Sequence, residues 1–235
     1  MIARAKTYYG VSIGILMVNA RFRRFPGDIG NAQTWPFPVQ YRVVEEATPD
    51  RVTMIHQTGL LEHFKRAALE LVDGGVDGIA STCGFLSLYQ QELADFLPVP
   101  VATSSLLQVP LATRLISGKQ RVGIITFLEG GLKAPYLEAV GIDPGTPVAG
   151  LPADSEFVRS IRESDNTVPY AVLRDEVLAT AKRFHQQYPD LGALVLECTN
   201  LSPFAADIHE LLGLPVFDTV SLLNWFHGGL RPRRF

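Results

Sequence analysis

The chain has 235 residues, 47% of them hydrophobic and 19% charged, with a formal net charge of -3 and a pI of about 6.0. That balance supplies a sizeable core and lacks the basic stripe of a nucleic-acid binder; Arg231, Arg233 and Arg234 at the C-terminus read as a solvated tail. No run of about 18 apolar residues offers a membrane span and the N-terminus has no signal-peptide pattern, so a cytoplasmic protein is expected.

The first predicted element is an apolar strand at Ser12–Val18. Arg21–Pro49 after it is rich in Pro, Phe and Gly and is expected to be a long ordered loop without a counterpart of equal length, bordering a ligand crevice as loops at the carboxyl ends of parallel strands do. Its Phe22, Phe25, Trp35 and Phe37 either flank an apolar substrate group or form the loop's own core. Leu60–Gly74 sets Leu60, Leu61, Phe64, Ala67, Ala68, Leu71 and Val72 at helical spacing and stops at Gly74-Gly75. Strands are predicted at Gly78–Ser81 and Val99–Ala102 with a helical stretch, Leu86–Phe96, between them. A second series follows: strand Arg121–Thr126, helix Leu173–Tyr188, strand Ala193–Glu197, helical Pro203–Leu212 and strand Pro215–Phe217. Unbroken apolar runs alternating with helices predict an α/β fold whose parallel sheets are buried on both faces.

The two series repeat each other. Gly78–Cys83 aligns with Ala193–Cys198 at an offset of 115 residues, the separation of the two cysteines. The same offset superposes Leu86-Ser87 on Leu201-Ser202 and Val99-Pro100-Val101 on Leu214-Pro215-Val216 without a gap. Ile13–Leu16 matches Val122–Ile125 at an offset of 109. Internal similarity at half the chain length predicts two similar lobes, residues 1–115 and 116–215, with a ligand cleft between them.

The chain's two cysteines are expected to be free thiols, since a reducing compartment opposes a bridge. Each directly follows a short apolar strand and opens a turn into a helix. That puts both at strand carboxyl ends, where open α/β folds bind ligands, and near helix N-termini, whose partial charge favours thiolate. Two equivalent groups facing one carbon from opposite sides suit a base that removes an α-proton and an acid that supplies one. The developing enediolate needs aimed donors; candidates are the backbone at Gly84 and Thr199 and the side chains of Asn19, Ser104, Thr126, Thr199 and Asn200, with Phe85 beside them. Ser104 serves equally well as a helix cap. His56, His63, His185, His209 and His227 show no ligand spacing, so no metal is expected. No phosphate-cradling or dinucleotide motif occurs, and no cofactor is expected.

Thr82-Cys83-Gly84, Glu197-Cys198-Thr199-Asn200, the strand Ile13–Val18 and Val122–Thr126 with Tyr136–Ile142 behind it resemble the aspartate/glutamate racemase superfamily, the group of aspartate, glutamate and hydantoin racemases, maleate isomerases and arylmalonate decarboxylases. The resemblance covers nearly the whole chain. It implies two flavodoxin-like lobes, a C-terminal segment of about residues 216–235 that packs back on the first lobe, and coenzyme-independent proton transfer by Cys83 and Cys198. It further implies that Gly84, Thr199 and Asn200, with Thr126, hold a substrate carboxylate, and that the chain is a homodimer. Where glutamate racemases carry Asp-Ser this chain has Met17-Val18, and the bulkier loop Pro26–Asn31 takes over that wall. The reading is a racemase or epimerase of a small carboxylic acid, amino acid or hydantoin-like compound. The alternatives are a maleate-type isomerase or arylmalonate-type decarboxylase on the same scaffold, and a non-catalytic carboxylate-binding protein.

Overall fold

The computed structural model describes residue 6 and residues 8–53 and 59–232; His56, Arg233 and Arg234 lie outside the described residues. The first sheet holds β1 (Ile13–Val18), β2 (Val39–Val44), β3 (Gly78–Ser81) and β4 (Val101–Ala102) in the order β2-β1-β3-β4, every pair parallel. The second holds β5 (Arg121–Thr126), β6 (Val148–Gly150), β7 (Leu191–Leu196) and β8 (Val216–Phe217) in the equivalent order β6-β5-β7-β8, again parallel. Helices α1 (Pro49–Thr53), α2 (Leu61–Asp73), α3 (Gln90–Phe96) and α4 (Val109–Leu115) accompany the first series. Helices α5 (Ala134–Glu138), α6 (Glu156–Glu163), α7 (Tyr170–Gln187), α8 (Ala205–Leu212) and α9 (Thr219–Leu230) accompany the second. This is the two-lobed parallel α/β architecture expected from the apolar runs.

The central strands are apolar throughout because both faces are covered: β3 and β7 are buried at every position. Each lobe opens on a strand with a glycine, and packing explains why. A Cβ on Gly14 would stand 2.9 Å from Ile79 Cδ1 and 3.0 Å from Leu71 of α2, and one on Gly123 would stand 2.7 Å from Phe184 of α7. The helix sits against the strand only because that side chain is missing. Phe64 of α2, fully buried, contributes roughly 3 kcal/mol of apolar burial on its own.

The repeat is exact in places. The 3-10 turn Gly84–Tyr89 after β3 maps at the 115-residue offset onto Thr199–Phe204 after β7, and β4 maps onto β8. Two strands fall outside the sequence expectation. β2 lies inside the presumed loop Arg21–Pro49; it is a sheet-edge strand with Gln40 and Arg42 in it and one fully buried residue, so it lacks the continuous apolar run of a central strand. β6 is an edge strand of three residues. With β2 and β6 recognised, the connections 19–38 and 127–147 differ in length by one residue, and the loop has its counterpart after all. What differs is content: α5 occupies the second connection, an aromatic loop the first.

The lobes exchange helices. Val109 and Ala112 of α4 join a core with Val122 and Ile124 of β5 and Ala193 and Val195 of β7. Leu222 and Leu223 of α9 join Ile13 and Ile15 of β1, Ala80 of β3 and Ala102 of β4. Each half thus covers the other's sheet. A capping box starts α9: Ser221 N–H donates to Asp218 Oδ1 (2.8 Å) and Asp218 N–H to Ser221 Oγ (2.9 Å). Trp35 and Phe37 pack in the α9 core, with Trp35 Nε1 donating to Ile29 O at 3.1 Å, so these two aromatic residues support the loop rather than a ligand. Among the described residues no helix is long and apolar enough to cross a membrane.

Candidate active site

In each sheet the chain adds one strand on one side of its first strand and then returns to the other, so the switch point lies between β1 and β3 and between β5 and β7. Ligand crevices of open α/β sheets form at the carboxyl ends there, and Cys83 leaves β3, and Cys198 leaves β7, at that position. Both cysteines are free and 8% exposed, and both line one cleft.

Short polar contacts hold the two cysteine turns. Ser81 Oγ donates its one proton to Thr103 O (2.7 Å), with Cys83 O also within reach at 3.0 Å, and Val18 N–H donates to Thr82 Oγ1 (2.9 Å). Across the lobes, Thr199 Oγ1 donates to Thr82 O at 2.9 Å and Ser105 Oγ to Leu196 O at 2.5 Å. The turns are thereby tied to each other and not only to their own sheets.

Gly84, Phe85, Thr199 and Asn200 line the cleft with the cysteines. Asn19, Ser104 and Thr126 do not. Asn19 Nδ2 donates to Glu45 O and Oε2, 3.0 Å each, at the exposed end of β1. Ser104 accepts from Leu106 N–H at 3.2 Å and caps the 3-10 turn Ser105–Gln108, so its capping role holds. Thr126 is fully buried and donates from Oγ1 to Glu197 Oε2 at 2.5 Å; it stands behind the cleft wall.

Glu197 is the group sequence reasoning missed. It is 2% exposed, lines the cleft, and its carboxylate presses on the turn of the other lobe: a Cβ on Gly84 would overlap Glu197 Oε1. Gly84 is therefore required for the carboxylate to enter, whatever its backbone does for a ligand. Burial raises Glu197 to about 7, against the pull of Thr126 Oγ1 and the Phe127 N–H. The available signal was a charged residue ending an otherwise apolar buried strand.

The expected acidic thiols are corrected. Burial, then the nearby Glu197 charge, push Cys83 up to about 12, although the N–H groups of Phe85 and Leu86 pull it down. Cys198 is pushed well above its ordinary value by burial, then by Glu197, with Cys83 and Asp28 adding to the rise against the N–H of Asn200. The elements after the cysteines are six-residue 3-10 turns, whose few aligned peptides cannot offset desolvation. The Cys198 thiol donates to Asn200 Oδ1 at 3.5 Å.

The loop after β1 supplies the remaining wall. Asp28, 2% exposed, accepts from Arg24 Nη1 (2.9 Å), Gly30 N–H (2.7 Å) and Asn200 Nδ2 (2.7 Å). It thereby fixes Arg24, a cation lining the cleft, and Asn200 at once. Phe22 and Phe127 join Phe85 as aromatic lining, while Phe25 packs edge-on to Tyr170 in the second lobe's core. Among the described residues no group of three or more His, Cys, Asp or Glu is placed to hold a metal ion.

No protein-family model matches the chain. It is 27% identical over 230 residues to a dimethylsulfoniopropionate lyase of Durusdinium sp. clade D, covering 93% of this chain and 74% of that protein. It is 27% identical to dimethylsulfoniopropionate lyase 3 of Emiliania huxleyi (91% of this chain, 58% of that one) and 25% identical to lyase 5 of the same organism (92% and 45%). The chain thus spans about half the length of these two Emiliania relatives. Among solved structures it superposes on a mutant of arylmalonate decarboxylase with a TM-score of 0.62 at 18% identity, covering 93% of this chain and 92% of that one. It superposes on a glutamate racemase from Bacillus anthracis at 0.58 and 17% (94% and 83%), and on a Nocardia farcinica maleate cis-trans isomerase at 0.58 and 15% (94% and 92%). The curated relatives are enzymes, and they are lyases. This overturns the racemase or epimerase reading, and with it the cis-trans isomerase, decarboxylase and non-catalytic alternatives. Two cysteines in one cleft suit any reaction that begins at an acidic α-carbon, so the geometry alone does not select among them. The chain has the two-lobed α/β fold of the aspartate/glutamate racemase superfamily, and in sequence it is similar to dimethylsulfoniopropionate lyases.

Proposed function

We propose that the chain is a lyase that eliminates dimethyl sulfide from dimethylsulfoniopropionate or a closely related sulfonium carboxylate. The observation that carries this reading is similarity to lyases of that name across 93% of the chain, together with a cleft that brings Cys83, Cys198 and Glu197 together. The reaction needs a base for the proton next to the carboxylate; the C–H electrons become the C=C bond, the carbon–sulfur bond breaks, and dimethyl sulfide leaves neutral beside acrylate.

Cys83 is the better base. Two backbone N–H groups, of Phe85 and Leu86, stabilise its anion, against one for Cys198, and the Cys198 proton is engaged with Asn200 Oδ1. Cys198 then acts as a thiol, donating to the carboxylate as charge builds there. Arg24 suits the carboxylate. The rings of Phe85 and Phe127 suit the sulfonium, which an aromatic ring attracts through its quadrupole; Phe22 already carries the Arg24 guanidinium 4.2 Å over its ring.

The test supplies dimethylsulfoniopropionate to the purified protein and measures headspace dimethyl sulfide and dissolved acrylate. Both are expected in equal amounts, with C83A slowed by about 10²–10⁴-fold, the worth of a positioned base, and C198A slowed less. Absence of both products from the wild-type protein, with the fold intact by circular dichroism, refutes the reading.

A further inference from the structure

The elimination leaves a proton behind in a cleft whose two cysteines are each 8% exposed. A thiol that begins as S–H must also lose its own proton before it can take one from carbon. The charge inventory of the cleft points to where both protons go. Three acids meet there, Cys83, Cys198 and Glu197, and Arg24 is already paired with Asp28 at 2.9 Å. The Glu197 carboxylate lies on the seam between the two cysteine turns. Its backbone belongs to the Cys198 turn, its Oε1 fills the space a Gly84 side chain would take beside Cys83, and its Oε2 is held from behind by Thr126.

We propose that Glu197 is the proton store of this site: it takes the thiol proton of Cys83 as substrate binds and gives that proton to solvent after the products leave. The proposal rests on the lyase reading. The steps balance. The Cys83 S–H bond breaks and a Glu197 O–H bond forms, moving the negative charge from oxygen to sulfur. The thiolate takes the α-proton, the C–H pair forms the C=C bond, and the carbon–sulfur pair leaves on dimethyl sulfide. Glu197 then releases one proton, the one the overall reaction produces, and the thiol and carboxylate are restored. Glu197 acts through Cys83 and needs no contact with substrate. Of the three acids it is the one that titrates near neutrality, whereas Cys83 lies up at about 12, so the resting charge sits on oxygen and is lent to sulfur. A sulfonium carried in by the substrate favours that loan, because it places positive charge beside the new thiolate.

The test pairs two variants with two readouts, the pH profile of kcat/KM and the rate at which iodoacetamide alkylates Cys83, followed by mass spectrometry. The wild-type kcat/KM is expected to rise with pH through an ionisation near 7. E197Q is expected to lose about 10²-fold or more in rate together with that ionisation. Its Cys83 is expected to alkylate several-fold faster at neutral pH, since the charge that raises the thiol is gone. General loosening of the fold would also slow turnover and expose the buried Cys83 thiol, so T126V, the second variant, supplies the readout that loosening does not move. T126V removes the hydrogen bond that lowers Glu197 and is expected to shift the rise to higher pH while the plateau persists. An active wild type whose E197Q variant keeps both its rate and its rise overturns the proton store and leaves the lyase reading intact. An E197Q variant that is inactive with an unchanged alkylation profile, beside a T126V profile that does not move, also overturns it. A wild type that yields no dimethyl sulfide refutes the lyase reading and the proton store with it, even when alkylation still shows the Glu197–Cys83 coupling.

Discussion

Replacing Glu197 by Gln also has a thermodynamic consequence that needs no substrate. Burial raises the Glu197 carboxyl from its ordinary 4.5 to about 7, so the folded protein binds this proton more tightly than the unfolded chain does. Stability from such a group is fully present below pH 4.5, declines as pH rises, and is lost above about 7. Each tenfold change in proton affinity corresponds to about 1.4 kcal/mol, so the interval is worth about 3 kcal/mol. E197Q keeps the shape and an acceptor for Thr126 Oγ1 but cannot ionise. The stability of E197Q relative to wild type is therefore expected to improve by about 3 kcal/mol between pH 4 and pH 8, on top of any constant offset from the changed hydrogen bond. Urea unfolding followed by circular dichroism at several pH values measures it. A difference between the two proteins that is flat across that range would refute the burial argument, and with it the assignment of the near-neutral ionisation to Glu197.

Other substitutions probe the same construction. G84A forces a Cβ into Glu197 Oε1; overpacking of this kind is expected to cost about 1–3 kcal/mol in unfolding free energy and to lower turnover with little change in KM, measurable by thermal melts and dimethyl sulfide release. D28N leaves Arg24 without its buried partner and weakens the anchor of Asn200; a loss of about 3–5 kcal/mol is expected, read in the same unfolding experiment, with a raised KM for the sulfonium carboxylate.

Much of the architecture was legible in the residues. β3 and β5 were readable to their ends because strands buried on both faces must be continuously apolar, and the 115-residue offset superposed Leu86-Ser87 on Leu201-Ser202, which the structure places in the matching turns Gly84–Tyr89 and Thr199–Phe204. β2 and β6 were not readable, because an edge strand faces solvent and carries residues such as Gln40 and Arg42 that no periodicity marks. The same divide runs through the site. That Cys83 and Cys198 end strands is a local property, and the spacing of apolar residues encodes it. The chemical state of those thiols is not local. It is a sum over groups that only folding brings together: Glu197 against Gly84, Asp28 against Asn200, Thr126 behind Glu197, and α4 and α9 covering each other's sheets. Helix and strand patterns follow from neighbours along the chain, and so the sequence determined the scaffold and the place of the sulfurs. Desolvation and charge depend on neighbours in space, and so tertiary structure alone decided which acid in the cleft is ionised.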